Sequence, residues 1–489
     1  MACRKKMSFR ECELAILRSA VDEIGTKVGK QKLSNPDIKE IILIVEEFLK
    51  TTRRVCYGGT AINNILPLED QFYDKTVEIP DYDFFSPTPL KDAKKLADIY
   101  YKKGFTEVEA KSGVHAGTFK VFVNFIPVAD ITYLVPQLYK KIHKRSIMVS
   151  GIYYTPPNYL RMLMYLELSR PAGDVSRWEK VLKRLTLLNK HYPLRGKLCE
   201  TEEIQRLFQY GTKPTVKKGG ASPTITEEEE ELQDIEEDIF KIVRDTLINQ
   251  GCVFFGAFAN RLYLKSLKKL RKKKIPEIPD FDVLSEDPIG TARMLKKRLG
   301  DIGLKNVKVK KKGGVGEIIA PHYEITVGPE TVVFIYEPIA CHSYNVVKVG
   351  GKNIRIATLD TMLSFYLAFA YVNRPYYDEN RILCMSQYLF KVQQKNRLKQ
   401  KGLLRRFSID CYGKQHTIEQ MREEKAVMYK KLKKNKNSKD YQWWFLRYSP
   451  AEKNTQKKNK RKTKKKRKRK RRKRKTRKIR GILGRLAFR

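Results

Sequence analysis

Between residues 8 and 50, apolar side chains recur at three- and four-residue intervals. Phe9–Arg18 carries one such stripe. Pro36–Leu49 carries a second with proline in its first turn, so the spacing predicts two helices. From 51 to 150 the period shortens towards two. Runs such as Thr118–Phe125 and Val128–Leu134, rich in β-branched and aromatic residues, predict strands of a small mixed sheet. Residues 157–192 return to helical spacing, with Met162, Leu163, Tyr165 and Leu166 on the inner face. Between Lys213 and Glu230 the pattern lapses into Pro, Gly-Gly, Ser-Pro and a run of glutamates, a linker leading into an acidic helix. After it the pattern starts again.

The second half repeats the first. Tyr57-Gly58-Gly59-Thr60-Ala61 returns as Phe255-Gly256-Ala257-Phe258-Ala259. Glu78-Ile79-Pro80-Asp81-Tyr82-Asp83 returns as Glu277-Ile278-Pro279-Asp280-Phe281-Asp282. Arg170-Pro171, Asp174 and Arg177 return as Arg374-Pro375, Asp378 and Arg381. Three matches in one order predict a duplicated unit of roughly 200 residues, too long for a solenoid repeat. The expected fold class is α+β, with two tandem units, the second degenerate, flanking helices and a disordered basic tail. The expected division is a helical region at 1–50, a first unit at 51–150, helices at 151–210 and a linker at 211–235. The second unit follows at 236–395, then a C-terminal region at 396–450 and the tail at 451–489.

Charge changes the picture most. The 489 residues carry a formal net charge of +47. Lys464 to Lys475 is an unbroken run of Lys and Arg. Removing everything after Pro450 takes away about +22 and leaves about +25, so the body is basic as well as the tail. Such an excess attracts polyanions, of which nucleic acid is the commonest that a soluble protein meets. An anionic membrane surface is the alternative. No apolar run approaches the length of a membrane span, and the N-terminus lacks a signal-peptide core, so a soluble, non-membrane protein is expected. The eight cysteines are scattered, without a C-x-x-C pair or zinc spacing, which favours a reduced intracellular protein over a disulfide scaffold. The six histidines form no catalytic or metal-ligand pattern.

The candidate chemistry lies in the first copy. Asp81 and Asp83 are two residues apart, and on a strand that spacing points both carboxylates to one face. Hard oxygen ligands suit Mg²⁺ or Mn²⁺. Asp130, on a later strand, is the candidate third ligand of a two-metal site. Gly58 and Gly59 allow backbone amides to approach phosphates closely, and Thr60 can add a hydroxyl donor. Lys180, Lys183 and Arg184 share a helical face. With Arg161 and Arg177 they are candidate triphosphate or primer contacts, Lys183 foremost among them. Arg177 has a structural alternative as an ion pair with Asp174. Tyr153, Tyr154 and Tyr159 are candidates to stack a base.

Tyr57-Gly58-Gly59-Thr60-Ala61-Ile62-Asn63, Ile79-Pro80-Asp81-Tyr82-Asp83-Phe84-Phe85 and Val128-Ala129-Asp130-Ile131-Thr132 resemble the poly(A) polymerase catalytic subunits of poxviruses, and more closely those of giant and other large DNA viruses. The resemblance covers roughly residues 40–395. It implies a polymerase-β-like nucleotidyltransferase fold and transfer of adenylate from ATP to RNA 3′ ends with Mg²⁺ or Mn²⁺. Asp81 and Asp83 would be the metal-binding dyad, Asp130 the third carboxylate, and Gly58 and Gly59 the triphosphate contacts. In the poxvirus type a methyltransferase subunit aids processivity, so a partner or a homodimer would supply that grip here. The implied location is the viral factory in the host cytoplasm, and the virion; the basic block also resembles a nuclear localisation signal.

The second copy keeps Asp280 and Asp282 but has Ala257 and Phe258 where Gly59 and Thr60 stand. Asp130 aligns there with Phe334 or Cys341, depending on the gap, and a catalytically silent unit kept for packing and RNA contact is expected. The basic loop Lys265–Lys274 favours phosphate binding over a second active site. A terminal uridylyltransferase, a CCA-adding enzyme and a noncatalytic RNA-binding scaffold are the remaining functional alternatives.

Overall fold

In the computed structural model, residues 3, 6–74, 76–197, 199, 227–266, 280–453 and 470 are described, residues 227–234 by backbone alone. The linker up to residue 226, most of the Lys265–Lys274 loop, Glu277–Pro279 and nearly all of the tail lie outside the described residues.

The helices of the first half are α1 (Phe9–Ser34), α2 (Pro36–Thr52), α3 (Gly58–Ile65), α4 (Pro89–Lys102), α5 (Pro136–Lys144), α6 (Pro157–Leu168) and α7 (Trp178–His191). They are followed by α8 (Glu227–Asn249), α9 (Ala257–Leu264), α10 (Pro288–Asp301), α11 (Leu359–Phe369), α12 (Glu379–Lys395), α13 (Ile418–Leu432) and α14 (Lys439–Phe445). The two N-terminal helices begin where side chains can cap them. Ser8 and Glu11 form a capping box on α1, and Asn35 accepts from the Asp37 amide to start α2. One face of α2 buries Ile41, Val45, Phe48 and Leu49, each worth about 1.5–3 kcal/mol relative to exposure.

The first sheet contains β1 (Val55–Cys56), β2 (Tyr82–Ser86), β3 (Val108–Ser112), β4 (Thr118–Val123), β5 (Ile126–Tyr133), β6 (Ile147–Val149) and β7 (Ile152–Tyr154). The second contains β8 (Val253–Phe254), β9 (Phe281–Leu284), β10 (Val307–Lys312), β11 (His322–Val327), β12 (Glu330–Tyr336), β13 (His342–Val349) and β14 (Lys352–Ala357). Two short C-terminal strands, β15 (Cys411–Tyr412) and β16 (Arg447–Tyr448), complete the set. The strand orders are β16-β3-β4-β5-β2-β1-β7-β6 and β10-β11-β12-β9-β8-β14-β13-β15. Without β15 and β16, each sheet has the same seven strands in the same order. The duplicated α+β architecture expected from the motifs is the architecture observed. The halves pack through equivalent helices, α6 against α11.

Each strand of the first sheet has one core face and one face left for other work. On β4 and β5, Phe119, Val121, Val123, Ala129 and Ile131 are buried, while Lys120, Asp130 and Thr132 between them are half-buried. The repeated Arg-Pro motif is a turn with a cap. Asp174 accepts from the Ser176 amide at 3.2 Å, and Asp378 from the Arg381 amide at 2.7 Å, which starts α12. Arg177 pairs with Glu167 at 3.2 Å rather than with Asp174.

One expectation needs correction, that of reduced cysteines. Three pairs of cysteines are disulfide-bonded: Cys3–Cys12, Cys199–Cys384 and Cys341–Cys411, with Cys56 and Cys252 free and buried. The last two bonds close loops of 185 and 70 residues, separations that carry no local spacing signal. The C-terminal region contributes a strand to each sheet. Arg406 grips the fully buried Asp360 of α11 in a forked ion pair, and β15 then adds to the second sheet. The chain crosses to the first sheet, where β16 pairs with the edge strand β3. Trp443 packs edge-on against Phe119 and Tyr133, and a Cβ at Gly117 would meet its ring at 3.1 Å.

Residues 411–453 therefore strap the two sheets together. Trp443→Ala is expected to cost about 3 kcal/mol through the void it leaves. Limited proteolysis should then cut first within 413–453. Cleavage kinetics matching the unmodified chain would show that the strap is held elsewhere.

Candidate active site

The two parallel central strands decide where the acids lie. In the β2–β5 register Asp83 is the direct partner of Asp130. Paired residues on neighbouring strands project to the same face, so these carboxylates sit side by side. Asp81 precedes β2 by one residue, at the i, i+2 spacing from Asp83. Its backbone is pinned by Thr60, whose hydroxyl donates to the Asp81 carbonyl at 2.6 Å. Thr60 is thus buried and occupied in holding the dyad, not in presenting a hydroxyl to a ligand.

Electrostatics ties the three acids into one cluster. Burial, then Asp81 and Asp130, push the Asp83 carboxyl up to about 7. Burial and Asp130 raise Asp81 as well. The opposing charge is Lys120, the direct partner of Asp130 across β4–β5, whose Nζ is paired with the Asp130 carboxylate. Among the described residues no three His, Cys, Asp or Glu side chains stand close enough together to hold an ion as they are. An acid cluster in which burial and acidic neighbours raise Asp81 and Asp83, and in which Lys120 pairs with Asp130, nevertheless has the charge and donor set of a divalent-cation site.

Beside the acids, α3 starts at the glycine pair. Tyr57 at its N-cap turns its hydroxyl to Thr132 Oγ1 at 2.9 Å, so the first-turn amides have no side-chain cap. Gly58 has φ +74°, and a Cβ there would lie 2.6 Å from Asp83 Oδ2. A Cβ at Gly59 would lie 2.4 Å from Tyr73 Oη and 2.9 Å from Arg184 Nη1. Gly58 is required by its positive φ and by the close approach of Asp83, while a Cβ at Gly59 would displace the ends of the Tyr73 and Arg184 side chains. Arg184 donates to Tyr73 Oη at 2.6 Å and lies over the Phe72 ring. Uncapped amides and an arginine at one helix start make an anion site.

The structure distributes the other candidates differently. Lys183 is exposed and pairs with Glu179 at 2.7 Å; its neighbour Arg184 is the residue at the glycines. Arg161 is fully buried, bound to Asn189 Oδ1 at 2.7 Å and to Asn158 and the Tyr192 carbonyl, so it is not a triphosphate contact. Tyr154 and Tyr159 are core residues unable to stack a base, and Tyr153 stacks on His143. Sequence reasoning passed over Lys120 and Tyr73, neither of which carried a signal. It did include Arg184 among the basic candidates on α7, but ranked Lys183 ahead of it.

In the second half, the register places Phe334 opposite Asp282, where Asp130 faces Asp83. This selects Phe334 over Cys341 as the counterpart. Glu324, partner of Phe334, replaces Lys120, and Phe258 replaces Thr60. Phe334 packs against Tyr376 and His322, filling with rings the space that carboxylates occupy in the first half.

Comparison with known proteins agrees with this division. The profile of the family described as "Poly(A) polymerase catalytic subunit" matches residues 43–174, which hold all three acids and the glycine pair. A protein of Acanthamoeba polyphaga mimivirus that bears that name is 33% identical over 194 residues, 37% of this chain and 32% of its own length. One from African swine fever virus (strain Badajoz 1971 Vero-adapted) is 33% identical over 171 residues, covering 34% and 36%. The match thus spans about a third of those relatives. The crystal structure of the Megavirus polyadenylate synthase superposes with a TM-score of 0.71 at 21% identity, covering 95% of this chain and 92% of that one. At that identity the likeness is one of fold alone, the duplicated α+β fold described above.

A raised carboxyl pKa also has a stability consequence. The fold favours neutral Asp83, so the penalty for ionising it is absent below the ordinary value of about 4 and complete above about 7. Asp83→Asn removes that penalty. In chelator, the variant should melt above the unmodified protein near pH 8, with the gap closing as pH falls towards 4. Thermal melts across this range check it, and a gap independent of pH would contradict the charge argument.

Proposed function

We propose that the protein is a template-independent polynucleotide adenylyltransferase, which adds adenylate from ATP to RNA 3′ ends with release of pyrophosphate. The observation that carries this reading is the Asp83–Asp130 pair on one sheet face beside the uncapped start of α3. The family match over 43–174 supports it. The first α+β unit, at 51–150, is the catalytic one, followed by helices to 210; the unit at 236–395 is silent and serves packing and RNA contact.

Asp81, Asp83 and Asp130 would hold divalent cations, Mg²⁺ or Mn²⁺, which supply charge neutralisation at the α-phosphate and at the leaving pyrophosphate. The Gly58 and Gly59 amides with Arg184 hold the triphosphate chain. The 3′-oxygen of RNA forms a bond to the α-phosphorus as the bond to pyrophosphate breaks. Lys120 holds the Asp130 carboxylate in place, and a cation bound at the acids would free its ammonium for other contacts. Lys183, close by on α7, would act on the phosphates only after leaving Glu179. The viral relatives favour a viral factory in the host cytoplasm as the place of action.

A homodimer is the proposed processivity partner. Leu14, Leu17, Val21, Ile24 and Val28 recur at alternating three- and four-residue steps on α1, and all are exposed. Among the described residues no described helix is long and apolar enough to cross a membrane, so this stripe suits a partner helix better than a bilayer span.

With a labelled RNA and each nucleotide offered separately, ATP should support extension and chelator should stop it. Preference for UTP would instead favour a uridylyltransferase. Asp83→Ala and Asp130→Ala are each expected to lower extension by about a hundred- to a thousandfold, as loss of a charge-stabilising group does. Asp282→Asn should leave it within about twofold of the unmodified chain, and equal losses at Asp83 and Asp282 would overturn the assignment. Leu17→Glu with Ile24→Glu should turn a dimer into a monomer by light scattering; a monomeric unmodified protein would remove the dimer from the proposal.

A further inference from the structure

The acids occupy one end of a rank that runs across the first sheet. Asp83 faces Asp130, Asp130 faces Lys120, Lys120 faces Lys111, and Lys111 faces Arg447. Each is the direct partner of the next, so all five project to the same face. At about 4.8 Å per strand, the three cations cover about 14 Å of sheet from the edge to Asp130. Side-chain exposure falls along the row, from 89% at Arg447 to 44% at Lys111 and 38% at Lys120. The outer two cations share a single carboxylate. Glu109 lies 3.4 Å from Lys111 Nζ and 3.3 Å from Arg447 Nε, so the edge retains net positive charge. Lys111 Nζ also rests over the Phe122 ring, 4.0 Å from its centre.

The second half shows that the fold does not need this row. There the same rank reads Lys310, Glu324, Phe334 and Asp282. It holds a single cation, Glu324 is bound by Lys312 at 3.0 Å and by Thr331 at 2.9 Å, and among the described residues no strand lies beyond β10. In the first half the strap supplies the extra strand. β16 is fixed by Tyr448 on Asp98 at 2.5 Å and by Lys453 on Tyr448 at 2.7 Å. The basic sequence beyond Lys453 thus starts where the row ends.

We propose that Arg447, Lys111 and Lys120 form a phosphate track that seats the 3′ segment of a single-stranded RNA and leads its terminal hydroxyl to Asp83 and Asp130. This rests on the adenylyl-transfer reading and adds to it the path of the RNA. A single file of cations suits one strand, since a duplex would present phosphates on two sides. A nucleic acid strand ends in a neutral hydroxyl at the acids, whereas an acidic peptide would bring a further carboxylate to them. Phosphates entering the track displace Glu109 from Lys111 and Arg447. The C-terminal strap therefore belongs to substrate binding, through the one side chain that β16 places in the rank.

The test uses the full-length chain and a fluorescent single-stranded RNA, with binding measured over a range of salt. Each lost phosphate contact on a single strand lowers the slope of log K against log salt by about 0.7. Lys111→Ser with Arg447→Ser should therefore reduce the slope by about 1.4, the tail contributing equally to both proteins. The KM for RNA should rise several-fold and more than the KM for ATP. Lys111→Arg with Arg447→Lys should restore the slope. Glu109→Gln should tighten RNA binding, the opposite of what loss of a merely structural ion pair would do. An unchanged slope in the double variant, weaker binding by Glu109→Gln, or equal loss of polyglutamate binding would each overturn the track. An unmodified protein that binds RNA with this track but adds no adenylate would sink the enzyme reading alone. Extension with an unchanged slope would sink only the track.

Discussion

Holding Asp83 against Asp130 across two parallel strands is the constraint on which the first half is built. Like charges at neighbouring positions repel, and partial burial deepens the penalty. The surrounding residues keep the carboxylates there regardless. Thr60 pins the approach to β2, Gly58 lets α3 start against Asp83, and Lys120 balances Asp130. The opposite face of β4 and β5 is apolar, with Phe119, Val121 and Ile131 buried beneath the site. Alternation along each strand thus separates the stabilising face from the strained one.

The second half is the same backbone with that constraint released. Phe334 stands opposite Asp282, and Glu324 replaces the lysine that would have balanced a third acid. With no carboxylate opposite Asp282, His322, Phe334, Tyr336 and Tyr376 fill the space with ring contacts. Such packing contributes stability where the first half holds charge. It also offers a firm support for α11, and through α11 for α6 of the first half. One copy concentrates electrostatic strain and the other apolar burial.

The strap joins these two roles. Its β15 end is bonded through Cys411 to Cys341 and its β16 end is sealed by Trp443. By closing the exposed edge of β3 it removes an unpaired row of backbone groups from the first sheet. It also brings Arg447 into line with the acids, 364 positions beyond Asp83 in the sequence.

The chain itself carries the helical and alternating periods, the duplication, the Gly-Gly and Asp-x-Asp motifs and Asp130, because each is a local pattern with its own physical meaning. It also carries the loss of the second site as far as Ala257 and Phe258. Three-dimensional folding alone decided which residue replaces Asp130, since a one-residue shift of register would turn every side chain to the other face. It decided that Arg184, not Lys183, meets the glycines, because one step along a helix rotates a side chain by about 100°. Lys120, the disulfides and Arg447 were silent in the sequence for the same reason. Their partners lie on other strands or far along the chain, and no local spacing records which edges meet.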